Sequence, residues 1–210
     1  MNKETLQAIS DTAHSINVAN GFDEAESYKR SVALIVSEMA EMLEADRKDK
    51  CSREIIEGLT QRDANMISGM TIKQAHQFII TTDDFIAWFK ECVKDTIEDE
   101  LADVVIRITS FLAASGHKIE CENAFDALES FTANDLIHDL PLCEIIYNLM
   151  QATLNAEDKL EPYVELEGIA YTCFELAEIY DFDLEWHIDA KLTYNKTRSH
   201  QIPAGHCQIR

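Results

Sequence analysis

The chain is short of everything that interrupts a helix. Its 210 residues include six glycines and three prolines, which punctuate the sequence singly and do not cluster. Against long 3.6-residue periods of apolar side chains, so few breakers predict an all-α fold and leave no stretch that reads as a strand. Basic residues are scarce as well: 18 Lys and Arg stand against 39 Asp and Glu, a formal net charge of −21. That balance speaks against nucleic acid or an anionic membrane as the main partner. A phosphate-bearing ligand would need a metal ion or a local basic patch. No apolar run approaches the ~18 residues of a membrane span, and no charged-then-apolar leader follows Met1. The six cysteines are scattered without a CxxC pair, so free thiols in a reducing cytoplasm are expected. His206–Cys207 has no partner pair at zinc-ligand spacing.

What the chain does have is 46% hydrophobic residues, enough at this length for one domain with a real core. That domain is expected over residues 1–198, with 199–210 an extended tail. Helical periodicity runs from Lys3 to Asn20 and stops at Gly21, then resumes near Ser27. A charged stretch, DRKDKCSREIIEG, follows Ala45, and Lys73 to Ile80 reads as a short helix. Thr82-Asp83-Asp84 offers an N-cap for a helix bearing Phe85, Trp88 and Phe89, read as continuous with the next one, which ends near Gly116. Cys121 to Phe131 is a short amphipathic piece. Pro141 precedes a helix through Ala156, Pro162 opens another through Tyr180, and Asp183 caps the last. Six to eight helices are expected.

Two of these helices carry carboxylate pairs three residues apart: Glu38 and Glu41 in VALIVSEMAEMLEA, Glu100 and Asp103 in IEDELADVVIRI. Residues i and i+3 share a helical face, with Cβ atoms ~5–6 Å apart. In the first helix Val32, Ile35, Val36, Met39, Met42 and Leu43 form an apolar stripe, and the acids share their own face with Leu34 and Ala45. Such a helix reads as covered on both sides. In the second, Ile97, Leu101, Val104, Val105, Ile108 and Leu112 form the stripe, flanked by Glu100, Asp103 and Arg107. The same spacing recurs at Glu41/Glu44, Glu54/Glu57 and Glu175/Glu178, so spacing alone also fits a solvated face. If the two helices face each other, four carboxylates converge. Like charges about 4 Å apart repel by about 4 kcal/mol at an effective dielectric near 20, so such a group raises its own pKa values or recruits a cation. All-oxygen ligands favour a hard ion, Mg²⁺ first and Mn²⁺ as a substitute. A di-iron site of the ferritin kind needs ExxH motifs, and Asp135/His138 is a poor replacement.

On the last helix Lys191, Tyr194, Asn195 and Arg198 fall on one face. They suit a polyphosphate held partly by fixed donors, or equally a solvated helix end whose cations complement its dipole. Phe85, Trp88 and Phe89, like Trp186 and Tyr194, fit either base stacking or core packing.

These stretches resemble the MazG-like, all-α nucleoside triphosphate pyrophosphohydrolases. The family's ExxE and ExxD signature is matched by Glu38-x-x-Glu41 and Glu100-x-x-Asp103, and its Lys-x-x-x-Asn-x-x-Arg ending by Lys191, Asn195 and Arg198. The matches touch about a quarter of the chain. The chain departs from the family in the 58 residues between Glu41 and Glu100, and in a further helical region between the second acidic helix and the last. The resemblance implies a MazG-like helical bundle with helices added at those two places. It implies Mg²⁺-dependent hydrolysis of a (d)NTP to (d)NMP and pyrophosphate in a cytoplasmic homodimer or homotetramer. Glu38, Glu41, Glu100 and Asp103 would hold the metal, with Glu41 the preferred general base. Lys191, Asn195, Arg198, Tyr194 and Arg107 would contact substrate, although Arg107 equally suits an ion pair with Asp103 or Glu100. A catalytically inactive nucleotide-binding or regulatory protein of the same fold is the alternative.

Overall fold

The structure, a computed structural model, describes residues 1–21, 27–52, 70, 72–123 and 140–198. Most of the expected piece from Cys121 to Phe131, much of the charged stretch after Ala45, Asp135, His138 and the tail lie outside these residues. The described residues form eight α-helices and no strand: α1 (Lys3–Ala19), α2 (Tyr28–Arg47), α3 (Ile72–Ile80), α4 (Phe85–Cys92), α5 (Ile97–Ala114), α6 (Leu142–Asn155), α7 (Pro162–Ile179) and α8 (Leu184–Lys196). None is long and apolar enough to cross a membrane.

Local signals set most of the ends. Asn2 caps α1 by accepting from Thr5 N, and Gly21 supplies the left-handed φ of +78° that follows it. Pro162 opens α7 at a position where no N–H is needed. The Asp183 carboxylate accepts from Trp186 N at 3.0 Å and starts α8. The continuous helix expected from Phe85 to Gly116 is instead two. Asp95 adopts a left-handed φ of 63°, and Thr96 restarts the chain as an N-cap that accepts from Asp99 N at 3.3 Å. Asp99 reciprocates by accepting from Asp95 N at 3.0 Å, a relative of the capping box. Asp84 does occupy the N-cap position of α4, but its side chain makes no capping bond.

α5 is the axis of the fold and packs against α1, α2, α7 and α8. From Leu101 to Leu112 it is buried nearly all round, as a helix apolar on every face must be. Its few polar groups there are satisfied: Thr109 Oγ1 donates to Val105 O at 2.7 Å, and Asn17 Nδ2 donates to Ser110 Oγ at 2.9 Å. α6 lies along the other side of α2. The main core draws on α1, α2, α5, α6, α7 and α8, whereas a smaller aromatic cluster joins α3 and α4 to α8. Ile97 N donates to Lys50 O at 3.0 Å, and Arg107 reaches Glu38, so α2 and α5 run antiparallel with their acid-bearing faces together.

Candidate metal centre

The antiparallel α2–α5 pair brings Glu38, Glu100 and Asp103 into one cluster, each offering a carboxylate oxygen within 4.8 Å of the others. A divalent cation 2.0–2.6 Å from each oxygen spans oxygen pairs up to about 4–5 Å apart, so the group fits one hard ion. Glu38 and Glu100 are buried and Asp103 is half-buried, while Glu41 is exposed at the rim. Glu41 is outside the close cluster, yet its charge bears on both Glu38 and Glu100. The reading of α2 as covered on both faces therefore holds for Glu38 and fails for Glu41. Leu43, expected in the core stripe, is exposed too.

Two cations sit against the acids. Arg107 Nε donates to Glu38 Oε1 at 2.8 Å, so its ion pair crosses to α2, where Asp103 or Glu100 had been the expected partners. Lys191 reaches in from α8 and donates to Asp99 Oδ2 at 2.7 Å, with Asp103 Oδ2 also at 2.7 Å. Its Nζ lies 5.9 Å above the Phe89 ring. The face expected to project Lys191, Tyr194, Asn195 and Arg198 at a substrate is thus largely turned inward. Lys191 is only 5% exposed. Tyr194 stacks on Phe89 with centroids 4.9 Å apart, and Asn195 Oδ1 is buried with no hydrogen-bond partner among the described residues. Arg198 alone is exposed, just past the end of α8, with its guanidinium 6.0 Å from the Tyr194 ring. The solvated-end reading holds only from Lys196 to Arg198, since from Leu184 to Tyr194 α8 is mostly buried, much of it against α5. Phe85, Trp88 and Phe89 pack with Trp186 as core.

Asp99 escaped the sequence reading. It is completely buried, and one of its oxygens has no partner among the described residues. Two signals marked it: the i, i+4 spacing to Asp103, and the T-x-x-D pattern from Thr96 that opens α5. Among the described residues, five carboxylates (Glu38, Glu41, Asp99, Glu100 and Asp103) therefore gather around Arg107 and Lys191, with Lys94 acting on Asp99 from further off.

The electrostatics follow from that imbalance. Burial pushes the Glu100 carboxyl up to about 8; Lys191 opposes the shift, and Asp99, Asp103 and Glu41 add to it. Burial and then Asp103 raise Glu38, against the pull of Arg107. Burial likewise raises Asp99, with Lys191 pulling the other way. Burial works against the Lys191 ammonium, but Asp103 and Asp99 outweigh it and hold the group above its ordinary range. Lys191 thus favours the charged forms of Asp99 and Asp103, while Glu38, Asp99 and Glu100 are all shifted towards the protonated form. Comparison of the chain with protein families, curated proteins and solved structures finds no match.

Proposed function

We propose that the chain is a Mg²⁺-dependent hydrolase of the MazG-like kind that converts a (d)NTP to (d)NMP and pyrophosphate. The observation that carries this reading is the meeting of Glu38, Glu100 and Asp103 from two helices, with more carboxylates nearby than cations to balance them. The donor set is all oxygen, which suits Mg²⁺ or Mn²⁺. Bound there, the ion would neutralise phosphate charge and make a water more acidic. Glu41, exposed beside the cluster, would take the proton of an attacking water. Arg107 has a side chain 43% exposed, free enough to leave Glu38 for a phosphate oxygen once a metal replaces it. Lys191 holds Asp103 in position rather than touching substrate, and Asn195 and Arg198 remain the donors for sugar or phosphate.

One observation favours the alternative, an inactive nucleotide-binding or regulatory protein of the same fold: Arg107 and Lys191 already pair with two of the three ligands. Pyrophosphate release from a panel of NTPs and dNTPs decides between them. The enzyme reading expects Mg²⁺-dependent turnover of at least one nucleotide and a loss of about a hundredfold or more in Glu41→Gln and Asp103→Asn. Equal background rates in all three proteins on every nucleotide would leave only the alternative.

A further inference from the structure

Away from the acid cluster, a cleft of about 170 Å³ opens where the C-terminal ends of α2 and α7 meet the N-terminal ends of α5 and α6. Its floor is apolar, built from Leu101, Leu142 and Leu176, and Tyr180 and Phe182 form an aromatic wall. Three carboxylates line it as well: Asp46, Asp49 and Glu98. We propose that this cleft binds a small organic ammonium, a protonated amine carried on an aromatic ring or a short apolar body.

The buried acid is the decisive feature. Glu98 is 2% exposed, and one of its oxygens accepts from Ser52 N at 2.9 Å. The described residues supply no second donor to it and no cation within ion-pair distance. The place of Glu98 in the first turn of α5 favours the charge, and with one hydrogen bond made the carboxylate has an oxygen left to accept from a ligand. Of the basic residues beside it, Arg47 and Lys48 both pair with Glu44, and Lys50 acts on Asp95. Two helix C-termini and two helix N-termini border the same space, so their dipoles largely offset one another. The cleft's three carboxylates favour positive charge, while its leucine floor and aromatic wall favour an apolar body over a hydrated metal ion. Size agrees, because a cavity of about 150 Å³ accepts a benzene ring. Glu98 lies about 200° around α5 from Glu100, so this site is separate from the acid cluster and stands whether or not the chain hydrolyses nucleotides.

Titration of the full chain with benzylammonium, followed by amide chemical shifts, tests the assignment. Benzyl alcohol serves as the neutral isostere. Saturable shifts should centre on residues 49–52, 97–101 and 176–182, with the ammonium bound about tenfold more tightly than the alcohol. Glu98→Gln should remove most of that preference, and Leu142→Trp should block both ligands by filling the floor. If Glu98→Gln fails to fold, the ammonium–alcohol comparison in the unsubstituted chain and the Leu142→Trp variant still decide. Three results would overturn the proposal: no saturable shift up to roughly 10 mM, equal affinity for the two ligands, or shifts centred on Glu38 and Asp103.

Discussion

Glu167 and Glu100 are both buried carboxylates, at 0% and 3% exposure, and the molecule treats them in opposite ways. Glu167, on α7, accepts from Glu120 N at 3.0 Å and from Cys121 N, and His117 Nε2 lies 3.1 Å away. Tyr171 Oη completes the corner by donating to Cys121 O at 2.7 Å. This carboxylate is saturated, and its work is to pin the chain leaving α5 onto α7. Glu100 receives no hydrogen bond from any described residue; it has only the field of Lys191, and three neighbouring acids oppose that field. A buried acid surrounded by donors is a structural device. One left among other acids is unfinished without a proton or a metal. The contrast, more than the ExxE spacing, separates the candidate metal centre from the many other acids of this chain.

The strongest way to break the comparison is to remove the cation that makes the charged end tolerable. Lys191→Met leaves Asp99 and Asp103 without their ion-pair partner, and losing one member of a buried pair costs about 3–5 kcal/mol. Urea denaturation of the metal-free protein should show a loss of that size. A loss below about 1 kcal/mol would mean that the acids are already protonated in the unsubstituted chain. Next comes the saturated end. Glu167→Leu strands the donors of Glu120, Cys121 and His117, and should cost roughly 2–3 kcal/mol. Mg²⁺ should not restore it, because this acid has no part in the metal centre.

Much of this arrangement was legible along the chain. The ends of α1, α7 and α8 follow from Gly21, Pro162 and Asp183 because caps and breakers act within a few residues, and α2 starts after Ser27 although that side chain makes no capping bond. The apolar stripe of α5 is readable for the same reason. Three features were not readable from hydrophobic periodicity. Asp95 takes a left-handed conformation that divides α4 from α5, and nothing in its neighbours' hydrophobic period reports it. Arg107 chooses Glu38 over Asp103, four residues away on its own helix, a choice made by the approach of α2. Lys191 turns inward because Asp99 waits 92 positions earlier in the chain. Periodicity assigns a residue to a face, but which helix covers that face is a tertiary fact.

Adding metal should bring the two ends closer in character. Mg²⁺ at about a hundred times its dissociation constant stabilises the fold by about 2.7 kcal/mol, and the shift should depend on pH. The folded Glu100 holds its proton to about pH 8, against an ordinary value of 4.5, and Glu38 is shifted in the same direction. Between these values the folded state binds protons that the unfolded state has released, so metal-free stability is full below about 4.5 and falls as pH rises towards 8. Metal must displace those protons, so its affinity should rise by up to about tenfold per pH unit over the same window. Thermal melts in EDTA and in Mg²⁺ at pH 5.5, 7 and 8.5 measure both. A metal-induced shift that is constant across the three would show that no proton leaves on binding.

The smallest effect is the most telling, because its sign differs between the two ends. Glu100→Gln keeps the shape of the side chain while removing a charge that no described donor supports. Relieving such a buried charge is neutral to stabilising, so metal-free Glu100→Gln should be more stable than the unsubstituted chain by about 1 kcal/mol at pH 8.5. The gain should vanish near pH 5, where Glu100 is already protonated. In saturating Mg²⁺ the order should reverse, since the variant has lost a ligand and the unsubstituted chain has gained an ion. Chemical denaturation at two pH values, with and without Mg²⁺, tests all three statements at once. If Glu100→Gln is destabilising at pH 8.5 without metal, as Glu167→Leu is expected to be, then Glu100 is a structural acid and the centre has no unmet need for a cation.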